Sequence, residues 1–141
     1  MSTTQANVTF LGGLAFEGQA TSGHKVRMDA SPEVGGEDSG PRPMELLLVA
    51  LGGCTGMDVI SILRKMRQNV TSYDVRLVGT RADEHPRVYQ EIYIEHVVRG
   101  KGLVEDMVKR AIELSETRYC SVTAMLGKSA RLVHTYRIEE G

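Results

Sequence analysis

The fold is decided by the stretch from Gly40 to Leu63, which reads GPRPMELLLVALGGCTGMDVISIL. Pro43 suits the first turn of a helix, and strong helix formers follow it without a further proline, so we predict a helix over 44–67. Its first half is apolar on every side, which is typical of a helix that is buried all round. Three glycines lie in its middle: Gly52, Gly53 and Gly56. Each costs about 1 kcal/mol relative to alanine, so we interpret them as sites of close packing against another helix.

Strand patterns flank this helix on both sides. Apolar residues alternate with polar ones over 6–30, between turn-forming glycines, which predicts two or three antiparallel strands and then a loop over 31–43. After the helix we predict strands over 73–80 and 88–98, helices over 103–117 and 119–126, and a closing strand over 131–139. This order indicates a single α+β domain over 1–141.

Composition excludes several classes of protein. The chain has 141 residues, of which 41% are hydrophobic and 25% charged, close to the average for globular proteins. Its net charge of −1 leaves no concentrated basic surface for nucleic acid. The longest uncharged apolar run, 46–57, has 12 residues, whereas a membrane span needs about 20. Since the N-terminus shows no signal-peptide pattern, we expect a soluble, cytoplasmic protein that binds neither nucleic acid nor membrane.

Cys54 and Cys120 are the main candidates for chemistry. Cys54 lies in the predicted helix among glycines, which leave its sulfur approachable. Cys120 lies at a junction, where we predict that a helix begins at Ser121, and a helix N-terminus lowers the pKa of a thiol. Arg118, two residues away, could strengthen that effect. From the residues alone the cysteines are either a peroxidatic and a resolving pair or two buried, unreactive thiols.

Other polar residues give weaker signals. Glu45 lies in the predicted first turn, where its charge could stabilise the helix dipole or serve in catalysis. Asp58 follows Cys54 by one helical turn, so it could bind an arginine or disfavour a thiolate there. The histidines are dispersed, and His96 fits the edge of the core. A zinc site would need both cysteines and a histidine from a distant segment, so we expect no metal and no cofactor.

Two segments together resemble the OsmC/Ohr superfamily, and within it the YhfA-like branch. They are residues 40–54, GPRPMELLLVALGGC, and residues 115–122, SETRYCSV. The resemblance covers nearly the whole chain. It implies an α+β, OsmC-like fold with antiparallel sheets around two long central helices, assembled as an intertwined homodimer whose sites lie at the subunit interface.

The resemblance also implies an activity. Characterised members reduce organic hydroperoxides through two cysteines, and by position Cys54 would be peroxidatic and Cys120 resolving. The expected function is therefore a thiol-dependent peroxidase of the oxidative stress response, with a small organic hydroperoxide as substrate and a dithiol as reductant. We expect Glu45 to take part in catalysis, and we expect an apolar substrate pocket lined by Met44, Leu47 and Met57.

One part of the family pattern differs in this chain. The peroxidase branches carry a glutamate directly after the Asn-Pro of the helix start, and it pairs with an arginine from the N-terminal strands. Here that position is Met44, with Glu45 one residue later, and residues 11–19 contain no arginine, so that Arg27 is the nearest candidate. Two alternatives therefore stay open: a dimer that binds a small apolar or thiol-containing molecule without turnover, and a transferase that uses Cys54 alone.

Overall fold

The computed structural model describes residues 1–141 and divides them into two compact units, Met1–Leu47 and Leu48–Gly141. The elements follow the predicted order, and the α+β class is confirmed. They are β1 (Ala6–Gly12), β2 (Ala15–Ala20), β3 (Lys25–Met28), α1 (Pro43–Lys65), β4 (Asn69–Arg81), β5 (Tyr89–Lys101), α2 (Glu105–Leu114), α3 (Ser121–Leu126) and β6 (Arg131–Glu140). A 3-10 turn at Pro32–Val34 and a π-helical turn at Ser115–Tyr119 complete them.

The first unit is built on an antiparallel sheet in the order β1-β2-β3. Gly12 and Gly13 have φ values of +105° and +57°, so they turn β1 into β2 in a conformation that other residues rarely adopt. The register pairs Phe10 with Phe16 and therefore gathers apolar side chains on one face. We call this the first-sheet apolar face; its exposed members are Val8, Phe10, Phe16 and Val26.

A buried carboxylate holds the loop after β3. Asp29 is 3% exposed and accepts hydrogen bonds from the Ser39 hydroxyl at 2.6 Å and from the backbone N–H groups of Ala30, Glu37 and Ser39. The Ser39 hydroxyl and these N–H groups hold the pKa of Asp29 well below its usual range. Asp29, which directly follows β3, thus orders the predicted loop over 31–43 through these hydrogen bonds.

Helix α1 begins at Pro43, as predicted, and Arg67 follows its end in a left-handed conformation with a φ of +57°. Its buried residues form one stripe along the helix: Leu51, Gly52, Thr55, Val59 and Leu63. The prediction that the first half of this helix is buried all round is wrong for the single chain, because Leu47 and Val49 are exposed.

Two glycines bring α1 close to strand β4. A Cβ atom on Gly52 would lie 2.8 Å from Cδ1 of Leu77, and one on Gly56 would lie 3.6 Å from Cγ2 of Val75. Gly53 faces open space. The predicted close packing is therefore present, but it joins a helix to a strand and not a helix to a helix.

Helix α1 is also long and apolar enough to cross a membrane, judged by length and composition alone. An 18-residue window has a mean hydropathy of 2.0, and 28% of it is buried. Glu45 and Asp58 limit the uncharged run to 12 residues without ending the helix, so α1 meets this criterion while the expectation of a soluble protein stays a prediction. Core helices of soluble proteins meet the same criterion, so this property assigns no membrane location.

The second unit is built on a mixed sheet in the order β4-β5-β6. Strands β4 and β5 pair antiparallel, as expected, whereas β5 and β6 pair in parallel. A parallel pair needs a long crossover, which here carries α2 and α3. Helices α1 and α2 pack with β5 to form the core, whose buried members are Val59, Leu63, Val98, Val108, Ala111 and Ile112.

Candidate functional site

The two cysteines come together in the second unit. Cys54 lies half-buried on α1, and Cys120 lies just before α3 with 3% of its surface exposed. Their sulfur atoms and a carboxylate oxygen of Asp58 lie within 4.8 Å of one another. We call these three residues the sulfur cluster. Spacing along the sequence leaves open whether the sulfurs meet, and the structure places them side by side as free thiols.

Cys120 is held between the end of one helix and the beginning of another. Its N–H donates to the carbonyl of Ser115 at 2.9 Å, across the π-helical turn. Its Sγ accepts a hydrogen bond from the N–H of Thr123 at 3.3 Å, which makes Cys120 the N-cap of α3. The predicted helix start at Ser121 is confirmed, although α2 ends at Leu114, earlier than the predicted 117.

The predicted lowering of the Cys120 pKa is wrong. Burial raises its pKa, and the Cys54 sulfur acts in the same direction, which together outweigh the hydrogen bond from Thr123. Helix α3 has only 6 residues, so its dipole contributes little. Arg118 does not help, because it is exposed and its guanidinium lies 5.5 Å from the centre of the Tyr119 ring. Cys120 is therefore a shielded thiol that keeps its proton at neutral pH.

A pair of buried hydroxyl groups holds Asp58 beside the sulfurs. The Ser115 hydroxyl donates to Oδ2 of Asp58 at 3.0 Å, and the hydroxyl oxygens of Thr55 and Ser115 are 2.8 Å apart. Because Ser115 has one hydroxyl hydrogen, which Asp58 accepts, Thr55 is the donor to Ser115. Thr55 and Ser115 are fully buried. The partner of Asp58 is thus a serine and not the arginine considered from the sequence.

A cavity of about 300 Å³ opens beside this carboxylate. It is lined by Asp58, Ser61, Ile62, Lys65, Leu114 and Tyr119. Apolar side chains with one acidic and one basic group are a typical lining for a small organic ligand. The cavity therefore gives such a molecule access to the Asp58 side of the sulfur cluster.

The predicted catalytic residue Glu45 lies in the first unit, at the start of α1. Its Oε1 accepts a hydrogen bond from the N–H of Arg42 at 2.8 Å, and its side chain is exposed. The sulfur cluster does not include it. Arg27, the candidate for the activating pair of the family, donates through Nε to the hydroxyl of Ser39 at 3.0 Å. Both side chains therefore serve local structure within the first unit.

Of the residues expected to line a substrate pocket, Met44 and Leu47 lie in the first unit and Met57 lies in the second. Met57 is 73% exposed and Leu47 is 38% exposed, whereas Met44 is half-buried. Leu47 and Met57 are thus exposed apolar side chains of α1.

A further buried polar chain lies in the second unit. The Tyr73 hydroxyl and His96 Nδ1 are 2.6 Å apart, and His96 Nε2 and His134 Nδ1 are 2.9 Å apart. His96 is fully buried, and burial lowers its pKa to about 4, so it is neutral. The expectation of a histidine at the core edge is therefore corrected: His96 lies inside the core.

Sequence reasoning missed the two hydroxyl residues of the site. Ser115 follows Val108 by seven residues and so continues the buried stripe of α2, and Thr55 lies on the buried stripe of α1. A polar residue on a buried stripe needs a hydrogen-bond partner. This requirement could have identified both Thr55 and Ser115 from the sequence.

Comparison with known proteins identifies relatives over the whole length of the chain. Residues 36–135 match the family model described as OsmC-like protein. The chain is 41% identical over 134 residues to Protein YhfA from Escherichia coli (strain K12), covering 95% of this chain and 97% of that protein. It is 34% identical to a hypothetical protein from Aquifex aeolicus VF5, whose crystal structure matches with a TM-score of 0.88 over 100% of this chain and 99% of that one.

More distant structures share the fold alone. An organic hydroperoxide resistance protein OsmC from Legionella pneumophila matches with a TM-score of 0.72 at 12% identity, covering 96% of this chain and 97% of that one. The resemblance carried by residues 40–54 and 115–122 is confirmed by the family model and by the close relatives. This chain belongs to the family of OsmC-like proteins.

Proposed function

We propose that this protein is a thiol-dependent peroxidase that reduces organic hydroperoxides through Cys54 and Cys120 as part of the oxidative stress response. The sulfur cluster carries the proposal, because both sulfurs lie within 4.8 Å of each other as free thiols. A disulfide bond is about 2 Å long, so small side-chain rotations are enough to form one. The shared fold with the Legionella organic hydroperoxide resistance protein supports the same activity.

Exposure distinguishes the roles of the two cysteines. Cys54 is half-buried and so can be reached by a hydroperoxide, which favours it as the attacking sulfur. Cys120 is buried and has a raised pKa, which favours it as the resolving thiol that reacts only with a neighbouring sulfur.

The proposed cycle consumes two thiols and one hydroperoxide. The Cys54 thiolate attacks the distal peroxide oxygen, the O–O bond breaks, and the product alkoxide takes up a proton to leave as an alcohol while Cys54 becomes a sulfenic acid. The Cys120 sulfur then attacks the Cys54 sulfur, and the sulfenic hydroxyl leaves as water with the Cys120 proton. An external dithiol reduces the resulting disulfide by exchange and is itself oxidised. Dithiols are kept reduced in the cytoplasm, where we place the reaction.

Asp58 is the group to which we assign proton transfer in this cycle. It lies beside both sulfurs, and the single hydrogen bond from Ser115 leaves its carboxylate with lone pairs that can accept the proton of Cys54. Glu45, the residue expected from the sequence, accepts a hydrogen bond from the Arg42 N–H at the start of α1.

We further propose that two chains form a homodimer. In the first unit, the first-sheet apolar face and Leu47 are exposed, and in the second unit Val49 and Met57 are exposed. Extended exposed apolar surfaces mark sites of protein association. A second copy that covers them would also shelter Leu47 and Met57, which we expect to contact the substrate.

The peroxidase proposal is tested by counting free thiols and measuring intact mass. Reduced protein is treated with one equivalent of cumene hydroperoxide, and we expect both thiols of each chain to disappear and to return with a dithiol. Cys54→Ser should lose no thiol, and Cys120→Ser should hold a sulfenic acid that dimedone traps. Two thiols that survive prolonged exposure would contradict the proposal.

The roles of the two carboxylates are tested with a matched pair of variants. Asp58→Asn should slow the loss of the Cys54 thiol by about 100-fold, since it removes the proton acceptor. Glu45→Gln keeps a hydrogen-bond acceptor for the Arg42 N–H, so it should react at the wild-type rate. Stopped-flow kinetics under single-turnover conditions measures both rates. The reverse pattern would return the catalytic role to Glu45.

An apolar cavity supports a second candidate function, namely binding of a small apolar molecule without turnover. The cavity has a volume of about 490 Å³ and lies in the first unit. It is lined by Val8, Leu14, Phe16, Met28, Asp29, Ala30 and Pro43. This function would be favoured if both thiols survive the hydroperoxide while an apolar fluorescent probe binds the wild type and fails to bind Leu14→Asp.

A further inference from the structure

We propose that the reduced protein binds one thiophilic divalent cation, such as Zn²⁺, through Cys54, Asp58 and Cys120. The three ligand atoms lie within 4.8 Å of one another. From the sequence we expected no metal, because a zinc site would need a distant histidine besides the two cysteines, whereas the structure supplies a carboxylate from the same helix as Cys54. This inference goes beyond peroxidase activity, because it requires no oxidant and no turnover.

The backbone elements present the ligands in a recognised way. Cys54 and Asp58 are four residues apart on α1, so their side chains leave the same helix face one turn apart. Two ligands at that spacing on one helix, joined by a third from elsewhere, are typical of zinc sites. Cys120 is the third, and it enters from the N-cap of α3.

The spacing of the ligand atoms suits a tetrahedral ion. Zinc–sulfur bonds of about 2.3 Å and zinc–oxygen bonds of about 2.0 Å place neighbouring ligand atoms about 3.5–3.8 Å apart. The observed separations reach at most 4.8 Å, so side-chain movements of about 1 Å are enough to close the site. Three protein ligands leave the fourth position open, as in catalytic zinc sites.

Outer groups already hold two of the ligands. The buried Ser115 hydroxyl donates to Oδ2 of Asp58 at 3.0 Å and fixes that carboxylate, and Thr55 supports Ser115 in turn. The N–H of Thr123 donates to the Cys120 sulfur at 3.3 Å, a contact that also stabilises a thiolate. Hydrogen bonds of this kind orient metal ligands and tune their affinity.

The charges of the ligands are consistent with a cation. Two thiolates and a carboxylate carry three negative charges, and a divalent ion compensates most of them in a site where Cys120 is buried. The cavity of about 300 Å³ is lined by Asp58 and so borders the proposed site on its carboxylate side.

To test this proposal, the reduced protein is titrated with Co²⁺ in the absence of oxygen, and the thiolate-to-cobalt charge-transfer absorption is followed. The affinity for Zn²⁺ is measured by competition with a chromophoric chelator. We expect one ion per chain. Cys54→Ser and Cys120→Ser should each weaken binding by more than about 100-fold, and Ser115→Ala should weaken it by about tenfold as an outer-group effect.

Asp58→Asn and Asp106→Asn provide a matched pair, since Asp106 is an exposed carboxylate on α2 outside the cluster. We expect Asp58→Asn to lose affinity by at least about tenfold and Asp106→Asn to bind as the wild type does. No thiolate absorption, or equal affinities of these two variants, would overturn the proposal. Circular dichroism checks that each variant is folded. Because no peroxide is present, failure of this test leaves the peroxidase test unaffected.

Discussion

The two sheets of this chain share an alternating apolar pattern but have opposite surroundings. Every residue of β1 is exposed, including Val8 and Phe10. In β5, Ile92, Ile94 and Val98 are fully buried. The second sheet has α1 and α2 packed against it, whereas the first unit contains only a 3-10 turn and the first residues of α1. Alternation thus tells which residues share a face, and only the other elements tell what covers that face.

The largest expected effect lies in the core of the second unit. Leu63→Asp places an unpaired charge among Val59, Val98 and Val108, and we expect it to cost more than about 4 kcal/mol and to prevent folding. Ser61→Asp, an exposed position on the same helix, should remain folded. Near-ultraviolet circular dichroism and denaturant unfolding distinguish the two. A cooperative, native-like Leu63→Asp protein would mean that this core does not carry the stability of the unit.

On the first sheet, the same kind of change should alter assembly and leave folding of the second unit intact. Phe16→Asp puts a charge on the first-sheet apolar face, which we propose a second copy covers, so the sedimenting mass should fall from two chains to one. Thr9→Asp, on the opposite face of the same sheet, should keep the wild-type mass. If Phe16→Asp sediments as the wild type does, the proposed role of this face in dimer formation is wrong.

A pH titration should separate the two units. His96 has a pKa of about 4 in the folded chain against an ordinary 6.5, so between these values the unfolded chain binds more protons. The stability of the second unit is therefore full above pH 6.5 and should fall by about 3 kcal/mol as the pH drops to 4. Asp29 has a lowered pKa, so its contribution to the first unit persists to the ordinary carboxyl pKa of 3.8 and is lost only below it.

Denaturant unfolding at a series of pH values measures this dependence. His96→Gln should reduce the slope between pH 6.5 and 4, because one buried titrating group is gone, whereas His134, whose pKa burial also lowers, remains. His24→Gln, at an exposed position, should leave the slope unchanged. A wild-type stability that is constant over that range would contradict a neutral, buried His96.

The smallest effect compares two serines that donate to carboxylates. Ser115→Ala removes the donor to Asp58 and leaves the buried Thr55 hydroxyl without its acceptor, so we expect a loss of about 1–2 kcal/mol. Ser39→Ala should cost less, because Asp29 keeps three backbone N–H donors. Urea unfolding gives both values. A larger loss for Ser39→Ala would show that the loop of the first unit depends on this hydroxyl more than its contacts indicate.

Much of the fold could be predicted because its signals are local. Neighbouring residues determine the start of α1 at Pro43, the strand alternation and the helix boundary at Cys120. The parallel pairing of β6 with β5 could not be predicted, since pairing depends on where the α2–α3 crossover returns the chain. The burial of α1 was overestimated because apolar composition does not say how much partner surface a single chain provides.

The candidate site, too, could be predicted from the sequence only in part. The cysteines and the one-turn spacing of Asp58 from Cys54 could be found in the sequence. The raised pKa of Cys120 could not, because burial outweighs the short helix that follows it. The pairing of Thr55 with Ser115 joins residues 60 positions apart, so no local pattern reveals it.

The parallel pairing of β5 and β6 has a consequence for biosynthesis. Strand β5 is the middle strand of its sheet, and its register pairs Glu91 with Arg131 through to Gly100 with Glu140. One of its edges therefore stays unpaired until β6 has emerged from the ribosome. The first sheet, with two tight connections, has far more local contacts and can form early. A nascent chain that stalls before Arg131 would expose a long, apolar strand edge, which makes it a natural client for chaperones that shield unpaired strands.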